Sequence, residues 1–329
     1  MQAIVLVGGE GTRLRPLTND VPKPALTLVD RPFLAYMIEW LAAHGVTEAV
    51  LACGFLPDVL REALGEAAHS GVRLTYVAEP DRRGTAGAIR FAADALGERL
   101  EDRFLALNGD VLADLDLTAL IGAHEERAAR ATIALHPVGD AAAYGLVSAD
   151  VGGNVTEFAE KTGERVPGEV NAGAYCLERS VLDLIPPDRE VSIEREVFPR
   201  LIGMGLGALR LDGYWMDIGT PERYLRASWD ILEGRVETRV RPTAPGLFVG
   251  AGAEIDAGAT VGPRAVVSAG CRVGPGARVT GSVLLDGCEV GPGATVSDSV
   301  LAAGASVAAG AELDGAIVGS NERVPAQDA

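Results

Sequence analysis

Residues 3–24 read AIVLVGGEGTRLRPLTNDVPKP. The first five, Ala3 to Val7, form an uninterrupted apolar run, as a strand covered on both faces requires. The run leads straight into Gly8, Gly9 and Gly11, so a buried strand hands over to a loop whose backbone N–H groups can close on an anion. The loop lacks the Gly-Lys-Ser/Thr ending of a Walker A motif. It also departs from G-x-G-x-x-G, because Leu14 stands where the last glycine belongs and Pro16 blocks an immediate long helix. Beside Thr12 it carries two cations, Arg13 and Lys23, which reach the same anion if the loop wraps it. Lysine is rare in this chain: of 29 basic side chains in 329 residues, only Lys23 and Lys161 are lysine. A guanidinium holds two oxygens in a planar fork, whereas an ammonium is a compact charge able to follow a group through a reaction. That is one reason to keep a lysine at position 23.

The bulk composition narrows the partners. A net charge of −17 excludes nucleic acid and anionic membrane surfaces, which need a basic face. An anionic ligand must be held by local cations, backbone amides or a metal. The start, MQAIVLVGG, has no basic leader region and reads as a first strand, and no apolar run reaches the roughly 18 residues of a membrane span. Cys53, Cys176, Cys271 and Cys288 sit apart among small apolar residues and read as buried free thiols of a reducing cytoplasm. His44, His69, His124 and His136 are scattered, with no spacing that suggests a metal site or a triad.

Two periods divide the chain. Residues 1–235 alternate apolar runs (3–7, 48–54, 73–79, 104–110, 131–138, 144–150, 171–178) with amphipathic stretches (33–44, 57–68, 85–96, 221–233), the pattern of a βα-layered sheet. Residues 236–246 break that pattern as a linker. From there aliphatics recur every six residues at Val249, Ile255, Val261, Val267, Val273, Val279 and Leu285. After one-residue slips they resume at Val290 and Val296, and again at Val307 and Leu313. Neither a helix nor a flat strand has this period; a left-handed parallel β-helix, with six residues per face and the aliphatic pointing inward, does. It is expected over 247–320, followed by a polar tail, 321–329.

The loop is one of several motifs in a recognisable order. Residues 8–24 match G-G-x-G-T-R-L-x-P-L-T-x-x-x-P-K-P at every fixed position, and EPDRRGTAGAI (79–89), NGD (108–110), YG (144–145), FAEK (158–161), NAGAY (171–175), SIEREVFPRL (192–201) and GYWMDIGTPERY (213–224) follow. In these motifs the chain resembles the sugar-1-phosphate nucleotidylyltransferases, and among them most the mannose-1-phosphate guanylyltransferases. The resemblance implies a Rossmann-like α/β nucleotidyltransferase sheet with helices on both faces, carrying a C-terminal left-handed β-helix. It implies attack by a sugar-1-phosphate oxygen on the α-phosphorus of a nucleoside triphosphate (NTP), with pyrophosphate leaving. By similarity, Asp110 and Asp217 would hold Mg²⁺, and Arg13 and Lys23 would draw off the charge of the departing pyrophosphate. Lys161 would grip the phosphate of the sugar, whose hydroxyls Gly145, Glu160 and Asn171 would line. Gly8, Gly9, Gly11, Thr12, Glu79, Gly84 and Thr85 would line the nucleotide. Glu194 and Glu196 either flank the sugar or are solvated, and Tyr144 shapes its loop.

Base choice has chemical content. Glu79 stands where thymidylyl- and uridylyltransferases of this family carry glutamine. Guanine offers two adjacent donors, N1–H and the N2 amine, which a carboxylate meets with two acceptors; uracil and thymine offer a donor beside an acceptor, which an amide meets. A mismatch leaves a polar group unpaired at about 1–3 kcal/mol. GTP and mannose 1-phosphate are therefore the expected substrates, with a glucose-1-phosphate thymidylyl- or uridylyltransferase as the alternative. DRRG departs from the guanylyltransferase pattern, and Arg82 and Arg83 either alter base selectivity or are exposed. A catalytically silent regulatory paralogue would be expected to have lost Lys23, Asp110 or Asp217, all of which are present. A fused hexapeptide acyltransferase would need a histidine base on a coil, and the last histidine is His136. The β-helix is thus read as scaffold and as the surface of a homo-oligomer.

Overall fold

The computed structural model describes residues 1–326 apart from 66–69, 161–162 and 164. Two compact units divide them: Met1–Gly9 with Met37–Trp215, and Glu10–Tyr36 with Met216 to the end of the chain. The glycine-rich loop is thus shared between the units beyond Gly9, and the division does not follow the linker at 236–246.

The first unit is built on a nine-stranded sheet. Its strands are β1 (Gln2–Leu6), β2 (Glu48–Cys53), β3 (Arg73–Ala78), β4 (Arg103–Asn108), β5 (Ala131–Val138), β6 (Gly145–Ala149), β7 (Val155–Glu160), β8 (Gly168–Glu178) and β9 (Leu206–Arg210). The order runs β7-β6-β8-β4-β1-β2-β3, with β5 beside β8 and β9 beside β5. β3, β2, β1 and β4 are mutually parallel, in register from Gln2 opposite Glu48 and Phe104. The apolar runs of β1, β2 and β4 are buried, as in a parallel sheet covered on both faces, whereas β3, at the end of the order, is only partly buried. Antiparallel β8 then crosses from β4 to the later strands. Helix α1 (Phe33–Ala43) reaches into this unit, where Trp40 Nε1 donates to Leu115 O at 2.8 Å. Helices α2 (Pro57–Leu64), α3 (Gly84–Leu96) and α4 (Leu117–Glu126) follow. On one face Ile89, Ala92, Ala93 and Leu96 of α3 meet Ile4, Val50, Phe104, Ile133 and Tyr175 of the sheet in a single core. Strands β7 and β9 were absent from the sequence reading: β7 has one buried residue, Val155, and β9 is only five residues long.

In the second unit helix α5 (Pro221–Leu232) begins with Thr220 as N-cap and proline in the first turn. Beyond it lies a triangular coil of parallel strands in three sheets. Its inward column on one face is Val267, Leu284, Leu301 and Val318; on the next it is Val273, Val290 and Val307. Each buried aliphatic is worth about 1.5–3 kcal/mol relative to exposure. Paired residues lie 18 apart between Leu247 and Ala265, then 17 apart between Val267 and Leu284, Leu284 and Leu301, and Leu301 and Val318. That shortening is the slip visible in the sequence, and it corrects one assignment: Leu284, not Leu285, joins the core. The short corner is closed by buried hydroxyls. Ser282 Oγ accepts from Ser299 N–H at 3.1 Å, and Ser299 Oγ from Ala316 N–H at 2.9 Å. The coil also runs past 320, because Arg323–Val324 pairs with Ser306–Val307. Among the described residues no helix is long and apolar enough to cross a membrane, and the four cysteines are buried and free.

Candidate active site

The C-terminal ends of β1, β2 and β4 meet at one edge of the first unit, the place where open α/β sheets receive ligands. The close packing there explains the first glycines. Gly109 N–H donates to Leu6 O at 2.9 Å, and a β-carbon on Gly109 would stand 2.6 Å from that oxygen. The next residue, Asp110, is carried to the sheet edge. A β-carbon on Gly8 would lie 3.3 Å from Glu79 Oε1, so Gly8 leaves room for the carboxylate that follows β3. Gly9 faces open space. Burial pushes the Glu79 carboxyl up from its usual range, and Arg83 only partly offsets this. A carboxylate kept from water in this way favours donors that restore its lost hydrogen bonds.

The turn that opens α3 is committed within the protein. Gly84 has φ +68°, and a β-carbon there would stand 2.7 Å from Val191 O. Ala86 and Gly87 N–H donate to that same oxygen at 2.9 and 3.2 Å. The Thr85 hydroxyl accepts from Ile193 N–H at 2.8 Å and donates to Glu194 Oε2 at 2.8 Å. Gly84 and Thr85 therefore tie the start of α3 to residues 191–194. Arg83 lies 4.4 Å over the Phe91 ring and donates to Pro187 O at 2.9 Å, while exposed Arg82 faces Glu190 at 3.5 Å.

In the same unit, the residues expected at the sugar lie on β6, β7 and β8. Gly145 pairs with Glu160 across β6 and β7, and a β-carbon on Gly145 would stand 2.7 Å from Glu160 Oε2. Asn171 lies at a register shift of β8; its Nδ2 donates to Tyr175 Oη at 2.9 Å and its Oδ1 accepts from Gly173 N–H at 2.9 Å. Trp215 donates to Ala172 O at 2.8 Å, stacks on His136 and takes the edge of Tyr144. The Tyr175 phenol is pushed well above its ordinary value, first by burial, then by the negative charges of Glu194, Glu160 and Asp110. Three carboxylates from distant segments thus act on one hydroxyl. Lys161 lies outside the described residues.

The second unit holds the remaining cations. Gly11, at φ +64°, precedes the short turn Thr12–Leu14, and its carbonyl accepts from Thr18 Oγ1 at 2.8 Å. Arg13 lays its guanidinium over Gly219, where a β-carbon would stand 2.8 Å from Nη2. Lys23 is only 7% exposed, and its Nζ lies 3.9 Å from Asp217 Oδ1. Asp217 Oδ2 accepts from Arg223 Nη1 at 3.0 Å. Gly219 and Arg223 escaped the sequence reading. The signal lay in DIGTPER, where a glycine, an N-cap threonine and an arginine follow the carboxylate. Tyr175 was missed because nothing local marks the inward ring of a buried strand.

The donor set fits a hard divalent cation. Asp110 and Asp217 each carry the carboxylate oxygens that such a cation prefers. Among the described residues no three His, Cys, Asp or Glu side chains gather into a metal cage.

Residues 2–234 match the family described as Nucleotidyl transferase, and residues 243–327 match the GMPPB C-terminal domain. The chain is 37% identical over 292 residues to a mannose-1-phosphate guanylyltransferase of Mycobacterium tuberculosis, covering 87% of this chain and 80% of that one. It is 36% identical over 260 residues to the mannose-1-phosphate guanyltransferase of Saccharomyces cerevisiae, covering 78% and 72%. Against a probable mannose-1-phosphate guanylyltransferase 1 of Oryza sativa the identity is 41% over 228 residues, covering 68% of this chain and 63% of that one. Among solved structures, HddC from Yersinia pseudotuberculosis superposes with a TM-score of 0.61 at 28% identity, over 70% of this chain and 99% of that one. The same protein has also been solved complexed with GMP-PN.

Proposed function

The chain belongs to the nucleotidyl transferase family, as a sugar-1-phosphate nucleotidylyltransferase, and from that premise we propose that it converts GTP and mannose 1-phosphate to GDP-mannose and pyrophosphate. The observation that carries the choice of base is the half-buried Glu79 carboxylate against Gly8. The named activities of the relatives support the choice of sugar.

In this reading the unprotonated phosphate oxygen of the sugar attacks the α-phosphorus. The new P–O bond forms as the bond to the β-phosphate oxygen breaks, and pyrophosphate leaves with that electron pair. No covalent enzyme intermediate is needed, so catalysis is positioning and charge neutralisation. Gly8, Gly9, Gly11 and Thr12 offer backbone to the triphosphate, and Gly84 and Thr85 fix the wall beside the nucleotide. Arg13 and Lys23 take the charge that builds on the leaving pyrophosphate, and Lys161 holds the sugar phosphate. Glu160 and Asn171 accept and donate to the sugar hydroxyls, with Gly145 leaving the space. Enzymes of this family generally use a divalent metal; Mg²⁺, held by Asp110 and Asp217, would neutralise phosphate charge. We also assign the chain to the cytoplasm and self-association to the outer faces of the β-helix. A sedimentation profile of monomer at every concentration would remove the latter.

A matrix of five nucleoside triphosphates against mannose, glucose and galactose 1-phosphates tests the activity. The expected result is pyrophosphate release greatest for GTP with mannose 1-phosphate. A preference for dTTP or UTP with glucose 1-phosphate would favour the alternative transferases. Silence in every well would favour a regulatory paralogue.

A further inference from the structure

Asp217 is surrounded by positive charge. Lys23 faces its Oδ1 at 3.9 Å, and Arg223 donates to Oδ2 at 3.0 Å and to the Asp217 carbonyl at 3.3 Å. Two residues further on, the guanidinium of Arg13 covers Gly219. The two partners of the carboxylate differ in kind. Lys23 is a single ammonium at the outer limit of an ion pair, and the reaction calls on it to meet pyrophosphate. Arg223 is anchored at both ends: its backbone N–H donates to the Thr220 hydroxyl in the first turn of α5, and its guanidinium holds Asp217 by side chain and backbone together.

We propose that Arg223 is a fixed counter-charge that sets the metal affinity of Asp217, keeping it low until the nucleotide arrives. A dication approaching the nucleotide-free protein meets a carboxylate already neutralised, and like charges nearby oppose its binding. A nucleoside triphosphate changes the balance, because its phosphates draw Lys23 away from Oδ1 and bring negative charge of their own. Metal and nucleotide therefore bind together, and Arg223 holds Asp217 in one orientation throughout. Arg223 acts through Asp217 and is a positioning residue. The inference rests on the reading of Asp217 as a metal ligand.

The test is Mn²⁺ binding to the nucleotide-free full chain, followed by the loss of the free-ion electron paramagnetic resonance signal. Wild type is compared with Arg223→Ala, Arg223→Gln and Arg223→Lys, and with Asp217→Asn in the wild-type and Arg223→Gln backgrounds, folding being checked by thermal melting. Removing one neutralising charge at a partly exposed site is expected to tighten Mn²⁺ binding by about tenfold in Arg223→Ala and Arg223→Gln. Arg223→Lys, which keeps the charge, is expected to stay within about twofold of wild type. Binding in Arg223→Gln equal to or weaker than wild type, with Asp217→Asn still abolishing it, would overturn the counter-charge role alone. Binding unaffected by Asp217→Asn would overturn the metal-ligand reading beneath it.

Discussion

Gly145 and Glu160 occupy complementary space: where one lacks a side chain, the carboxylate of the other stands, 2.7 Å from the position a methyl group would take. Gly145→Ala must push Glu160 aside, and the Phe158 ring, 3.1 Å from the same position, must give by a few tenths of an ångström. The expected outcome is a KM for mannose 1-phosphate raised about tenfold, with kcat changed far less, the pattern of a lost binding contact. Steady-state kinetics with mannose 1-phosphate varied at saturating GTP checks it, and an unchanged KM would separate Glu160 from the sugar.

Gly219 does for Arg13 what Gly145 does for Glu160. Gly219→Ala would place a methyl 2.8 Å from Arg13 Nη2 and displace the guanidinium. If Arg13 meets the departing pyrophosphate, kcat/KM for GTP falls by at least about tenfold, equivalent to 1.4 kcal/mol of transition-state stabilisation. The apparent affinity for pyrophosphate in the reverse reaction falls with it. Full activity in this variant would free Arg13 from that role.

The scarcity of lysine makes its own prediction. Lys161→Arg keeps the charge but replaces a compact ammonium with a larger planar group, and is expected to lower kcat/KM for mannose 1-phosphate by about tenfold or more. Arg272→Lys, an exposed change on the β-helix, is the control and is expected to keep wild-type kinetics. Equal activity in the two variants would remove the argument from retained lysines.

A buried network in the first unit predicts how stability varies with pH. His124 is inaccessible, its Nδ1 2.8 Å from Thr132 Oγ1 and its Nε2 3.1 Å from Glu178 Oε1. Burial lowers its pKa, more than the hydrogen bond to the Glu178 carboxylate raises it. The folded chain then binds fewer protons than the unfolded chain, so stability rises with pH in this window. The contribution is fully present above the unfolded histidine value, roughly 6.5, and is lost as pH falls through the lower folded value. The melting temperature is expected to drop between pH 7.5 and pH 5.5, and the drop to shrink in His124→Gln. An identical drop in that variant would place the sensitivity elsewhere.

What could be read from the chain alone follows from the range of each signal. Apolar runs and a six-residue period are local, so the sheet of the first unit and the coil of the second were both legible. The position of the inward residue after each slip was not, since choosing Leu284 over Leu285 depends on a serine corner closed by the next coil. Short sheet members such as Val155–Glu160 left no apolar run because little of them is buried. Motif residues were visible as types, whereas their partners were not. That Thr85 is spent on Glu194, or that Arg13 rests on Gly219, is decided by segments 109 and 206 residues away.

The choice of guanine rests on one side chain, and the most direct measurement is the ratio of kcat/KM for GTP over UTP in the wild type and in Glu79→Gln, with mannose 1-phosphate held constant. A carboxylate that pairs with two guanine donors predicts a strong GTP preference in the wild type. It also predicts a ratio at least about tenfold lower in the variant, as one unpaired polar group at about 1–3 kcal/mol requires. A ratio that does not move when Glu79 becomes glutamine would contradict it.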